Sequence, residues 1–306
     1  MLPSHGRSHR FESRIVHYPM RKILAVSLLI IFLAGCANTP KKSDQSNNIN
    51  IKYPVVLVHG IFAHDRRSII DFWGRIPKVL KDHGINVYYG NTDAWGSYET
   101  NAEILKSTID NILLETKSEK VNIIAHSKGG IDSRYLIWKY DYGDKVASLT
   151  TVSTPHHGSE LADLIFSKKI VHSKMGKNIM RVIGELWGDT NPDIYNVNYQ
   201  LTTEKMSEFN ELVKMDPNVF YQSIYSTMRN AFDDLMFFNS FLQIKRRSGV
   251  NDGVVSEVSS IWSGNITKFT GISHAEIVDS KKRKISGIDV PEIYLYFIRD
   301  LSNRGF

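Results

Sequence analysis

Short apolar runs alternate with stretches of helical period along most of the chain. Pro54–Val58, Ile85–Tyr89, Val121–Ile124, Val146–Ser153, Val219–Ser226 and Thr267–Ile272 read as short strands, most of them buried. Between the first two, Ser68–Lys81 carries apolar residues at 69, 72, 73, 76, 79 and 80, and His83-Gly84 closes it. Tyr98–Glu115 sets Ala102, Leu105, Ile109, Ile112 and Leu113 on one side, and Ile131–Tyr140 reads as a third helix. Strands alternating with helices of this length predict an α/β fold, a mostly parallel sheet with helices on both faces. Reactive groups in such sheets gather at the carboxyl ends of the strands.

Further on, Met175, Ile179, Met180, Ile183, Leu186 and Trp187 form an apolar stripe opposite Lys174, Lys177 and Arg181. A helix packed permanently on the core would carry this pattern, and so would an amphipathic cover that opens against lipid. The second reading makes residues 164–195 a helical lid insertion. At the other end, residues 1–19 are polar and rich in His and Arg, and predict no packed element. Met20-Arg-Lys, the apolar run Ile23–Leu33 and the small pair Ala34-Gly35 then form a basic region, a short hydrophobic region and a cleavage site. The run is too short to span a bilayer comfortably. Cys36 follows it and is the only cysteine, so no internal disulfide can form. The chain therefore divides into an upstream extension and signal segment (1–35), a polar tether (36–50) and a folded domain (51–306), with translation starting at Met1 or Met20.

At 306 residues and 42% hydrophobic content, the chain has room for one large core or two small ones. The formal charge of +6 comes from 38 basic and 32 acidic residues. Residues 1–35 hold five of the bases and one acid, which leaves 33 and 31, or +2, for the rest. So small an excess gives no support to nucleic-acid binding.

The candidate chemistry centres on Val121–Gly130, VNIIAHSKGG. A strand that turns into a helix through small-x-Ser-x-Gly is a nucleophile elbow. The bend strains the serine backbone, so the residues two positions away must be nearly free of side chain; Ala125 and Gly129 satisfy this. Taken alone, the pattern also fits an ordinary turn serine. A serine hydroxyl needs a histidine base held in its correct tautomer by a carboxylate, in the chain order Ser, Asp or Glu, His. After the lid stripe the one remaining histidine is His274. Among the acids, Asp252 stands out as a loop residue beside glycine in Asn251-Asp252-Gly253, with Glu257 and Glu276 as alternatives. His156 and His157 also follow Ser127 but are not taken as the base.

His59-Gly60, AHSKGG at 125–130, TPHHGSELAD at 154–163, NDGVVSEVSS at 251–260 and His274 together resemble, in order and spacing, the bacterial triacylglycerol lipases of the α/β-hydrolase superfamily. Ala125 departs from the usual glycine. The resemblance extends to LTTEKMSEFN within Tyr199–Leu212, which is similar to the helix after the lid. It implies an acyl-enzyme mechanism with Ser127 as nucleophile, His274 as base and Asp252 orienting it. The backbone N–H groups of Ile61 and Lys128 would form the oxyanion hole, and the substrate would be a lipid or other acyl ester. No cofactor is required, but some members carry a structural calcium near the histidine loop; here Asp233 or Asp234 with Glu276 fall at corresponding places, which leaves calcium open, though two acids do not make a site and surface or capping roles are preferred for them. Leu33-Ala34-Gly35-Cys36 resembles the lipobox of bacterial lipoproteins, which implies lipidation of Cys36 and membrane attachment in the cell envelope. Ala37, where an Asp would signal retention, points to the outer membrane. An acyltransferase on the same fold and a catalytically silent binding lipoprotein are the alternatives.

Overall fold

Residues 48–61, 72–168, 172–173 and 192–306 are those described by the computed structural model of the chain. The expectations for the signal segment, for Cys36, for most of the tether and for the lid stripe lie outside the described residues.

Among the described residues, six strands form one sheet: β1 (Val55–Val58), β2 (Val87–Tyr89), β3 (Val121–His126), β4 (Val146–Val152), β5 (Phe220–Thr227) and β6 (Ile266–Thr270). Their order is β2-β1-β3-β4-β5-β6, and every neighbouring pair is parallel. All four residues of β1 and all six of β3 are buried, as expected where helices cover both faces. Period-two alternation divides them between two cores. Val55, Leu57 and Ile124 face one side, against Trp73, Ile76 and Leu80. Val56, Val58, Ile123 and Ala125 face the other, against Ala102, Leu105 and Ile109.

The first core is closed by α1 (Ile76–Asp82) and by the C-terminal helix Val290–Asn303, and the second by α2 (Tyr98–Thr116) and α3 (Lys128–Tyr140). Pro77 sits in the first turn of α1, where its missing N–H costs nothing. Ser97 caps α2 by accepting the Thr100 N–H at 3.2 Å. Helix α3 begins at Lys128, three residues before the predicted Ile131, because Gly129 and Gly130 are its first turn and not a break before it. The helix predicted over Tyr199–Leu212 begins only at Thr203, and Tyr199 and Gln200 end a separate helix before it. After α4 (Glu160–Phe166), α5 covers Ile194–Gln200 and α6 covers Thr203–Leu212, with Thr202 capping the latter. Helix α7 (Phe238–Ser248) packs below the Asp252 loop, and the C-terminal helix is α8. Among the described residues no helix is long and apolar enough to cross a membrane.

Strand order reverses its progression between β1 and β3, so a crevice opens at their carboxyl ends. His59-Gly60 leaves β1 at that edge, and Ser127 leaves β3 beside it.

Candidate active site

Ser127 joins β3 to α3 at φ +53° and ψ −128°, a region that non-glycine residues occupy only under constraint. Its N–H is held by the Val152 carbonyl at 2.9 Å, and its own carbonyl accepts from Gly130 N–H at 3.1 Å. The turn drives α3 against the end of β1. A Cβ at Gly129 would overlap the Val58 and His59 carbonyl oxygens, so only glycine fits there.

His274 lies on the loop after β6 and faces Ser127. Its Nε2 is 3.1 Å from Ser127 Oγ, and its Nδ1 is 2.7 Å from Asp252 Oδ2. Asp252 is fully buried, and its Oδ1 accepts the Val254 and Val255 N–H groups at 2.9 and 2.8 Å. The His274 N–H donates to the Asp252 carbonyl at 2.9 Å, so the two residues are tied by backbone as well as side chain. Below them, Asn251 donates to the Phe241 carbonyl within α7 and to the Gly249 carbonyl just past its end. The three residues predicted from order and spacing are therefore in one hydrogen-bonded row.

The expected oxyanion donors flank the serine. Lys128 opens α3, and its N–H is one of the first-turn amides that lack an intrahelical acceptor. On the other side, a Cβ at Gly60 would sit 2.8 Å from Ser127 Cβ, so the Gly60-Ile61 backbone passes directly by the serine. Both ring nitrogens of the preceding His59 reach carbonyl oxygens, Gly60 at 2.7 Å and Thr92 at 2.9 Å.

The sequence profile of the palmitoyl protein thioesterase family matches residues 54–232, more than half of the chain. The chain belongs to this family of lipase-like α/β-hydrolases. Triacylglycerol lipase 2 of Saccharomyces cerevisiae is 29% identical over 260 residues, covering 78% of this chain and 75% of that one. Triacylglycerol lipases of Burkholderia plantarii and Vibrio cholerae are 35% and 34% identical over 153 and 148 residues. Those matches cover 47% and 48% of this chain but 42% and 47% of the relatives, so the chain spans under half the length of each. In three dimensions the chain shares its fold with Staphylococcus hyicus lipase, at a TM-score of 0.65 and 18% identity, over 84% of this chain and 97% of the other.

The remaining candidates have other partners in this member of the family. Glu257 accepts from Tyr225 Oη at 2.7 Å and from Lys268, away from the imidazole; burial opposes its ionisation, yet these donors hold its carboxyl below the ordinary range. His156 is buried with Nδ1 accepting from Arg134 at 3.1 Å and Nε2 donating to Thr151 Oγ1 at 3.0 Å. Burial, then the Arg134 charge, pushes its pKa well below the usual histidine value, so it stays neutral. His157 Nε2 donates to the Ile261 carbonyl at 3.1 Å. His126, beside Ser127, donates from Nε2 to the His274 carbonyl at 3.1 Å, and burial followed by the neighbouring His274 lowers its pKa strongly too.

One buried pair went unread in the sequence. Lys128 and Asp132 are spaced as helix neighbours, which marks an ion pair but not its burial. Lys128 Nζ lies 2.7 and 2.8 Å from the two Asp132 oxygens, with side-chain exposures of 3% and 1%. Asn101 Nδ2 donates to Asp132 at 2.8 Å and to the Asp93 carbonyl at 2.9 Å. Burial still raises the Asp132 pKa, against the pull of the lysine.

Calcium does not fit the residues proposed for it. Asp233 accepts the Arg229 backbone N–H at 2.6 Å and pairs with the Arg229 guanidinium. Asp234 and Glu276 converge, but on the Lys281 ammonium. Among the described residues no group of three His, Cys, Asp or Glu side chains is disposed to hold a metal ion.

Two expectations follow. Replacing Lys128 by Met strands a buried carboxylate and costs about 3–5 kcal/mol of stability, which the double replacement with Asp132→Leu largely restores; denaturant unfolding of the single and double variants measures this. His126 and His156 are neutral when folded, whereas the unfolded chain binds protons on both below about pH 6.5. Stability is thus complete above that pH and falls as pH drops through it, by about 1.4 kcal/mol per pH unit for each histidine. His156→Gln, which keeps an acceptor for Arg134 and a donor for Thr151, removes one histidine's share of that slope; an unchanged slope between pH 7 and 5 contradicts the assignment.

Proposed function

We propose that this chain is an exported, lipid-anchored serine ester hydrolase that cleaves acyl esters of lipids. The observation that carries this reading is the unbroken row Asp252, His274 and Ser127, at 2.7 and 3.1 Å, beneath a serine on a strained elbow. Relatives named triacylglycerol lipase support the reaction class. The lipobox-like Leu33–Cys36 supports the anchor, and the several acyl chains of a bacterial lipoprotein would hold it where one chain would not.

In this mechanism Ser127 Oγ adds to the ester carbonyl carbon while its proton passes to His274 Nε2. Asp252 keeps the Nδ1–H tautomer and offsets the charge of the imidazolium. The carbonyl oxygen becomes an oxyanion facing the N–H groups of Ile61 and Lys128. As the tetrahedral adduct collapses, the bond to the leaving alcohol breaks and His274 returns the proton to it. Water, deprotonated by His274, then adds to the acyl-serine, and the acid leaves as Ser127 regains its proton.

The family match favours a second substrate class, long-chain acyl thioesters, which the same row of residues would cleave by the same steps. The test is hydrolysis of short- and long-chain p-nitrophenyl esters and of a palmitoyl thioester by the full chain in detergent. Ser127→Ala is expected to lower kcat by at least about 10⁴-fold on every substrate. The rate ratio between oxoester and thioester assigns the preferred class. Ester products formed with an added alcohol would identify an acyltransferase instead, and equal rates in both proteins would remove Ser127 from the mechanism.

A further inference from the structure

The residue before the proposed base is held by two buried carboxylates. Ser273 N–H donates to Glu276 Oε2 at 2.9 Å, and Ser273 Oγ donates to Asp234 Oδ2 at 2.7 Å. Both polar groups next to His274 are therefore fixed from different segments, one three residues on and the other in the loop after β5. The two acid side chains are only 2% and 5% exposed. Two carboxylates drawn onto one serine in so dry a place repel each other and need a counter-charge.

Lys281 supplies it. Its Nζ lies 2.6 Å from Glu276 Oε1 and 3.3 Å from Asp234 Oδ2, bridging the pair. Burial disfavours the ammonium, but Glu276 and then Asp234 hold its pKa above the ordinary lysine value. The turn that carries Lys281 is itself pinned: the adjoining Asp279 is buried and takes three hydrogen bonds from Arg75, at 2.7, 2.9 and 2.7 Å. A calcium ion takes six to eight oxygens, and here two carboxylates already share one ammonium and one serine.

We infer that the Lys281 ammonium is a built-in cation that positions the His274 loop, making the chain independent of a divalent ion. Lys281 is a positioning residue, since it reaches the imidazole through Glu276, Asp234 and Ser273. The inference rests on the role proposed for His274, so its test pairs turnover with a melting temperature, which does not depend on that role.

The experiment compares the full-length wild type with Lys281→Ala, Lys281→Arg and the double variant Lys281→Ala/Glu276→Gln, each in EDTA and in millimolar calcium. Wild type is expected to keep the same Tm and kcat/KM in both media. Lys281→Ala should lose about 5–10 °C in Tm and about 10- to 100-fold in kcat in EDTA, with KM little changed. Calcium should restore part of both in that variant alone, because its two uncompensated carboxylates then accept an outside cation. Lys281→Arg should retain most activity, and the double variant, with one acid neutralised, should recover the Tm without calcium. Should Lys281→Ala fail to fold in EDTA, recovery in the double variant still tests the charge argument. The inference is overturned if EDTA lowers the wild-type Tm, if Lys281→Ala matches wild type in EDTA, or if neither calcium nor Glu276→Gln restores its Tm. A wild type that is inactive on every substrate but keeps these Tm responses would instead refute the proposed function.

Discussion

The site depends on one backbone constraint, the sharp turn at Ser127. A serine at φ +53° raises its hydroxyl clear of the sheet edge and starts a helix in the same step. The cost of that conformation is offset by its surroundings: the Val152 carbonyl on one side, the packed start of α3 on the other, and bare backbone at Gly60 and Gly129. With a larger residue at 129, α3 would lift away from β1, and the Lys128 amide would move with it.

Around that turn, the two sides of the proposed oxyanion hole are braced from adjacent residues. The His59 ring lies between the Thr92 and Gly60 carbonyls, within hydrogen-bond distance of both; Asp93 exchanges hydrogen bonds with Asn101, which holds Asp132 and through it Lys128. The loop between β2 and α2 thus sets the spacing of two amides that are far apart in sequence. A second set of long-range contacts fixes the proposed base. The Asp252 carbonyl, the His126 ring and the Ser273 carboxylate partners all converge on the loop of His274. The proposed nucleophile, on a rigid strand end, thereby meets the proposed base on a loop that has been tied down from three directions.

Much of this was legible in the chain because the informative features are local. Strand followed by small-x-Ser-x-Gly and a helix is a short-range pattern, and a lone late histidine with an Asp-Gly loop before it needs only chain order. The turn at Leu201-Thr202, which separates α5 from α6, was hidden because both helices keep apolar residues at compatible spacing; the break is a Thr202 side-chain cap. Helices α7 and α8 were not read at all. In α8, Pro291, Tyr294 and Phe297 sit in an apolar run whose burial is decided by the distant faces of Trp73 and Leu80. The charged contacts were the least legible. Arg75 meets Asp279 across 204 positions, and Asp234 meets Ser273 across 39. Asp234 and Glu276, expected in surface or capping roles, are instead buried on Lys281, and that lysine lies on a turn whose sequence, Asp279-Ser280-Lys281-Lys282-Arg283-Lys284, reads as a solvated charge run.

The central claim is that Ser127 is a nucleophile activated through His274 and Asp252. The most direct measurement is covalent labelling with a fluorophosphonate, followed by peptide mass spectrometry and by labelling rates in His274→Gln and Asp252→Ala. A single adduct on the peptide containing Ser127, forming at least about 100-fold more slowly in both variants, is the result predicted. Labelling at another serine, or at an unchanged rate when His274 or Asp252 is replaced, would contradict the account.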